Sequence, residues 1–526
     1  MTAACALALV APLLSPPAWA QHNLPALGDS ATEDFGVGTE RKLGDQIMRE
    51  IRRDPDYLDD PVLLEYLQTL WSPLVAQARA NGNIAADFDA RFAWEAFLVR
   101  DRSVNAFALP GGFIGVHLGL IAITATPDEL ASVLAHELTH VTQRHIARSF
   151  ANSKRQSMIS IAGLILGVLA ASRANSGDGI NAAIVGSQAV AAQGQLNFSR
   201  EMEREADRIG FAVLTGAGYS PAGMAAMFEK LDQASRLNDS GGFPYLRSHP
   251  LTSERIGEAR AKLGATGGSR APMGSGPAPV TQLEHILAQA RARVLMDTRV
   301  DALRRWQALD GERAVGAPAE QLAAAASSAL ASTLLRDTGR ADASLQRAAE
   351  LVRVGGRGDA RAQRALALLV GQSMLARGDV ARAAATLQPF ASDTARPVTL
   401  MLAQVALAGV PAGTTAPASG TAETALRRSA EELQTRVATQ PGDATGWALL
   451  GQVWSRLGQP LRSLRADAEA QLALGDLPGA IERLRAAQRL ARSGSATDFI
   501  EASVVDSRLR DVELQFRQLS AEERRP

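Results

Sequence analysis

Apolar positions set the first outline of this chain. Leu43, Ile47 and Ile51, then Leu63, Leu67 and Leu70, recur three or four residues apart among alternating acids and bases, which is the spacing of amphipathic helices. From Arg91 to Val116 the pattern shortens to Phe92-Ala93-Trp94, Phe97-Leu98-Val99 and Phe113-Ile114-Gly115-Val116. Asp101 to Asn105 and Pro110-Gly111-Gly112 separate these runs, which predicts a small sheet. A helix is then expected from Thr126-Pro127-Asp128-Glu129, where a Thr cap, a Pro at the first helical position and early acids all favour a start.

Beyond residue 281 the chain changes character. Ala, Leu and Arg at helical spacing dominate, with essentially no strand signal. Gly339, Gly378, Gly458 and Gly475 punctuate the run, each followed five residues later by a small side chain: Ser344, Ala383, Ser463 and Ala480. Glycine permits a tight turn and a small residue lets paired helices approach, so stacked helix-turn-helix repeats are expected. Trp447, Leu450, Gly451, Trp454 and Gly458 match the tetratricopeptide pattern. The other repeats are degenerate, and an Ala-rich helical bundle is the plainer alternative. A Pro, Gly and Thr-rich break from 409 to 421 interrupts the array.

These patterns divide the chain into a signal peptide (1–20), an α+β domain (21–263), a linker rich in Gly, Pro and Ser (264–280) and an all-α repeat domain (281–526). A length of 526 residues agrees with more than one hydrophobic core. The leader has an apolar run from Ala3 to Leu14, Pro16 and Pro17, and Ala18-Trp19-Ala20 ahead of Gln21, so cleavage after Ala20 and export to the periplasm are expected. Cys5, the single cysteine, falls inside that leader, leaving the mature chain without a disulfide. Lys+Arg and Asp+Glu balance at 55 each, which gives no reason to expect a nucleic-acid partner. Two apolar stretches, 158–171 and 182–192, are too short to span a bilayer. They read as helices that cover a cleft or make peripheral contact with the inner face of the outer membrane.

The chemistry concentrates in His136-Glu137-Leu138-Thr139-His140. Residues four apart share a helix face, so His136 and His140 can present two imidazole nitrogens to one zinc ion at about 2.0–2.1 Å. Glu137, one position on, can take a proton from water and later hand it to a leaving amine. A catalytic zinc takes three protein ligands, and the third is expected from Phe198 to Asp207. Glu203 and Asp207 lie four apart, suiting a ligand and a carboxylate that orients a ligand histidine; spacing alone leaves Glu201 and Glu205 open. His145, five positions after His140, is expected to point off the ligand face, and it is read, like His22, His117 and His285, as structural or exposed.

His136 to His140, followed by Ser199-Arg200-x-x-Glu203-x-x-Ala206-Asp207, resembles the gluzincin family of CAAX prenyl proteases and bacterial heat-shock membrane metallopeptidases. Asn105 to Gly112, Ser248-His249-Pro250-Leu251 and the C-terminal repeats resemble its soluble periplasmic branch. The resemblance implies one zinc per chain, with Glu203 as third ligand and Asp207 behind the ligands. It also implies that His249 sits on a loop over the metal as a switch. It further implies endopeptidase and chaperone-like action on unfolded or misassembled outer-membrane proteins, and contact with the β-barrel assembly machinery through the repeats. A scaffold or chaperone working mainly through the repeat domain is the alternative, and a general scavenger peptidase a third reading. Arg255 is a candidate for steadying a developing oxyanion, and Gly111 to Val116 for an edge strand that pairs with substrate.

Overall fold

The computed structural model describes residues 36–151, 199–237, 245–266, 280–312, 316–356, 358–410, 420–492 and 499–523. The expected leader, most of the linker and the apolar segments between 158 and 192 lie outside the described residues. Among the described residues, no helix is long and apolar enough to cross a membrane.

The N-terminal part is α+β. Helix α1 (Val37–Arg52) buries Leu43, Ile47, Met48 and Ile51 on one face. Helix α2 (Pro61–Ala80) starts on Pro61, with the Asp60 carboxylate accepting from the Leu63 N–H, and lays Leu63, Tyr66, Leu67, Leu70, Trp71 and Leu74 into the main core. Strands β1 (Tyr57–Leu58), β2 (Glu95–Val99), β3 (Ala106–Leu109) and β4 (Phe113–His117) form one sheet in the order β1-β2-β4-β3. The β2–β4 pair is parallel and the outer pairs are antiparallel.

Two sequence expectations change here. Phe92 to Trp94 is a turn, with Trp94 at φ 49°, so the strand begins at Glu95. Gly111 to Val116 is no edge: β4 pairs on both sides, and β3 takes the rim beside the motif helix. The inner strand β4 is buried at every position and the outer β3 at its two ends only, and apolar runs this short do not say which of them lies inside.

Helices α3 (Leu118–Ile123) and α4 (Pro127–Thr142) follow directly. Helix α4 begins as the sequence predicts, with the Thr126 hydroxyl accepting from the Glu129 N–H, and is buried along nearly its whole length. Chain reversal at Arg144, φ 51°, starts α5 (His145–Ala151). Helix α6 (Arg200–Gly216) packs across α4, followed by α7 (Ala222–Leu237), the single turn α8 (Tyr245–Ser248) and α9 (Ser253–Thr266). Gly210 makes the α4–α6 crossing tight: a Cβ there would sit 3.1 Å from the Ala135 carbonyl oxygen and 3.3 Å from the His136 Cα.

From residue 282 onward the described residues are helical, as expected, running as antiparallel pairs such as Ala444–Arg456 with Pro460–Ala473. Gly378, Gly458 and Gly475 take positive φ at the turns, but at the first turn Arg336 holds that conformation and Gly339 lies inside the next helix. The first of these helices, α10 (Gln282–Leu295), packs into the core of the N-terminal part through Ala288 and Ala292. Its Gln282, His285, Gln289 and Arg293 donate to the carbonyls of Ala125, Thr124, Thr124 and Ala122. These carbonyls end α3 and lead into α4, so one face of α10 caps the approach to the motif helix.

A row of arginines closes the rest of this seam. Arg291 pairs with Asp60 at 2.7 Å, Arg364 with Glu65 at 2.7 Å and Arg396 with Asp59 at 2.8 Å, all carboxylates in or just before α2. The two halves therefore share a packed, ion-paired boundary.

Candidate metal centre and active site

Burial of α4 carries His136, Glu137 and His140 to its inner face with relative exposures of 2%, 0% and 1%. Ser199 caps α6, its hydroxyl accepting from Met202 N–H, and the α6 face toward α4 includes Glu203, Ala206, Asp207 and Gly210. Of the three acids that spacing left open, Glu203 is the buried one. Glu201 is exposed, and Glu205 turns toward α5.

The donor atoms converge. His136 Nε2 and His140 Nε2 are 3.0 Å apart, and Glu203 oxygens lie 3.5 and 3.4 Å from them respectively. A tetrahedral ion with ligands at about 2.0–2.1 Å spaces its ligand atoms by about 3.3 Å, so the three residues fit one zinc ion. His249 joins them: its Nδ1 is 3.3 Å from His136 Nε2 and 2.9 Å from Glu203 Oε1. All four donors lie within 4.8 Å of one another, in a buried group able to hold a metal.

The electrostatics favour a cation at that point. Burial works against charge on His136, but Asp207 and Glu203 outweigh it and raise its imidazole to about 10. Burial drives His140 well below its ordinary value, and the neighbouring His136 adds to this. Burial alone would push Glu203 up; the facing imidazoles, His249 foremost, overcome it and hold the carboxyl far below the usual range. The buried carboxylates thus favour positive charge at this point, which a proton on His136 or a divalent ion between the donors can supply.

Residues behind the ligands fix their orientation. His136 Nδ1 is 2.9 Å from Asp207 Oδ1, and Arg255 grips Asp207 through Nε at 2.6 Å and Nη2 at 2.9 Å. Arg255 Nη1 donates to the Pro250 carbonyl and lies 2.8 Å from Glu203 Oε2, near enough to pair electrostatically though off the hydrogen-bond direction. The guanidinium is thereby committed to carboxylates and to the His249 loop, with a relative exposure of 4%.

Glu137 is poised differently. Burial raises its carboxyl, opposed by His249 and His136, and neither oxygen has a well-aligned hydrogen-bond partner among the described residues. The backbone amide of Ala108 on β3 approaches it, and His249 Nε2 stands 3.5 Å from Oε1. A buried acid with its pKa raised and its oxygens unsatisfied beside an ion site has the properties of a general base. The His249 ring thus stands between Glu203 and Glu137. Tyr245 stacks on it, with centroids 4.6 Å apart and planes at 26°.

His145, read from the sequence as structural or exposed, is a buried histidine whose contact with His140 the sequence reading did not foresee. Its Nδ1 lies 2.9 Å from His140 Nδ1, and burial depresses its imidazole to about 4. No residue type marked it in advance, because the helix ends at Arg144, whose positive φ is not a feature of the sequence. His117 and His285 are buried and structural, one beside Ser103 and the other between Tyr66 and Thr124. His22 lies outside the described residues.

Residues 73–263 match the profile of Peptidase family M48. The chain is 34% identical over 260 residues to the beta-barrel assembly-enhancing protease of Escherichia coli (strain K12), covering 49% of this chain and 50% of that protein. It is 36% identical over 241 residues to the protein of the same name from Yersinia pestis, covering 46% and 47%. It is 32% identical over 168 residues to the mitochondrial metalloendopeptidase OMA1 of Saccharomyces cerevisiae, covering 31% and 45%. The chain spans about half the length of the beta-barrel assembly-enhancing proteases it matches.

Proposed function

We propose that this chain, with its Peptidase family M48 region at 73–263, is a periplasmic zinc endopeptidase acting in the assembly and quality control of outer-membrane β-barrel proteins. The observation that carries the reading is the convergence of His136, His140 and Glu203 on one point beside a buried Glu137 whose oxygens lack aligned partners among the described residues. Similarity to proteins named beta-barrel assembly-enhancing proteases supports the setting in β-barrel assembly, and this reading assigns unfolded or misassembled barrels as the clients.

Bound zinc supplies Lewis-acid activation of water and of the scissile carbonyl. The chain's own residues do the rest. Glu137 accepts the proton of the attacking water on a carboxylate oxygen and delivers it to the leaving amine, while Asp207, held by Arg255, keeps Nδ1 of His136 engaged so that Nε2 faces inward. Arg255 acts as this strut rather than as an oxyanion donor, because its nitrogens are spent on Asp207, Pro250 and Glu203. Strand β3 offers a rim along which an extended client can add by main-chain hydrogen bonds, with Ala108 next to Glu137. His249 fills the position a substrate carbonyl would take and touches both ligand and base, so it serves as a latch that substrate displaces. The repeat helices recruit clients and the assembly machinery.

Cleavage of an unfolded model protein by the purified mature chain, with zinc content measured in parallel, tests this reading. Loss of cleavage in Glu137→Gln at unchanged zinc, with a gain in His249→Ala, is the expected result. Absence of zinc-dependent cleavage in every variant would instead favour a scaffold working through the repeats.

A further inference from the structure

We propose that His145 is a positioning residue for the metal ligand His140, and that Glu205, steadied by Arg148, sets the tautomer of both rings. The inference rests on the metal centre proposed above and adds an outer relay to it.

The relay depends on a break in the helix. On a continuous α4, residue 145 would point away from the ligand face, since five residues advance the helix by well over one turn. Arg144 takes φ 51° instead, its guanidinium held by buried Glu40 at 2.9 Å, and the chain turns back so that His145 packs under His140. His140 Nδ1 and His145 Nδ1 are 2.9 Å apart, His145 Nε2 is 3.1 Å from Glu205 Oε2, and Arg148 Nη1 donates to that same oxygen at 2.9 Å.

Donor and acceptor roles then follow in order. An ionised carboxylate only accepts, so the proton of His145 sits on Nε2 and points at Glu205. The Nδ1 of that neutral ring is left with its lone pair and accepts from His140, whose proton must be on Nδ1. This leaves His140 Nε2 with a lone pair, aimed where His136 Nε2 and Glu203 converge. The opposite tautomer would place a proton where the metal needs a lone pair.

His136 gets the same service directly from Asp207. Helix α6 thus presents three carboxylates at alternate positions: Glu203 to the metal, Glu205 to His140 through His145, and Asp207 to His136. Loss of such outer partners weakens metal binding by about 10–100-fold.

The test is zinc affinity of the full mature chain, by competition with a chromogenic chelator, beside melting of the chelator-treated proteins. His145→Leu is expected to bind zinc about 10–100-fold more weakly with little change in melting after chelation. His145→Asn, which keeps an acceptor where Nδ1 stood, should recover most of the affinity. Glu205→Leu, at a partly exposed position, should weaken zinc in the same direction and carries the test if His145→Leu does not fold. Zinc affinity within about twofold of the parent in the leucine variants, or equal loss in His145→Leu and His145→Asn, would overturn the relay. Failure of the parent chain to bind zinc would instead sink the metallopeptidase reading itself.

Discussion

At the seam beneath α2, Asp60 and Glu284 are buried to 7% and 6% exposure, close to the 2% and 4% of Glu203 and Asp207 at the metal centre. Both places also hold buried histidine, His285 in one and His136 in the other. The difference lies in how the charges end. At the seam each acid meets an arginine, Arg291 on Asp60 and Arg361 on Glu284, and His285 is satisfied on both ring nitrogens by Tyr66 and Thr124. At the centre Arg255 likewise holds Asp207 and approaches Glu203, but the donors of His136, His140, Glu203 and His249 converge on a common point, and among the described residues Glu137 keeps oxygens without aligned partners. Buried charge alone therefore does not mark a site; convergence with an unsatisfied acceptor does.

Removing one group from each place separates them. Glu137→Gln is expected to lower turnover by ~10²–10⁴-fold, the usual share of a general base, while zinc content and melting temperature hold. A buried carboxylate raised by desolvation costs stability, so its neutral isostere does not lower melting. Arg291→Leu should do the reverse. It leaves Asp60 buried without its main partner, at a cost of about 3–5 kcal/mol in stability, with turnover per folded molecule and zinc affinity unchanged. Equal loss of activity in both variants would show that the seam feeds the chemistry directly.

His285 sharpens the contrast through pH. Burial lowers its imidazole to about 4, whereas the unfolded chain takes up the proton near 6.5. Below 6.5 the unfolded state binds more protons, so this contribution is whole above pH 6.5 and is lost as pH falls toward 4. A fall from 6.5 to about 4 corresponds to ~3 kcal/mol. His285→Gln can still donate to the Thr124 carbonyl but does not titrate. The difference in melting between parent and variant, followed from pH 7 to pH 4.5, should therefore shrink on acidification. A difference independent of pH would mean that His285 is not held neutral at the seam.

The sequence made the centre more legible than the seam, and the reasons are physical. Helical spacing is a local property, so His136, Glu137 and His140 could be read as one face, and Thr126 with Pro127 announced where that face begins. The choice among Glu201, Glu203 and Glu205 needed the packing of α6 on α4, set by the close approach at Gly210, which spacing does not contain. His145 was misplaced because periodicity assumes an unbroken helix, and a single positive φ at Arg144 overrides it. The rim position of β3 likewise depends on which strand crosses over, which alternation does not encode. Helix α10 reads as the start of the repeats by composition, yet its polar face serves the carbonyls ahead of α4. Glutamine, histidine and arginine on a helix look like a solvated face until their partners are known.

Helix α4 belongs to both regions, and its N-terminus gives the last and smallest test. Thr126 caps it by accepting from the Glu129 N–H at 3.2 Å, the Glu129 carboxylate accepts in return from the Ala125 N–H, and Lys230 pairs with Glu129 at 2.6 Å. The ligand histidines lie toward the other end, His136 about 15 Å further along the axis at 1.5 Å per residue. Thr126→Ala removes one cap and should cost about 1 kcal/mol in stability. A packed helix held along its whole length by α6 and α7 does not pass a lost cap on to its far turn, so zinc affinity and turnover per folded molecule should equal those of the parent. A drop in zinc affinity matching the loss of stability would show that the cap and the ligands move as one unit. The contrast between seam and centre would then be one of position along a single stiff element, not of separate construction.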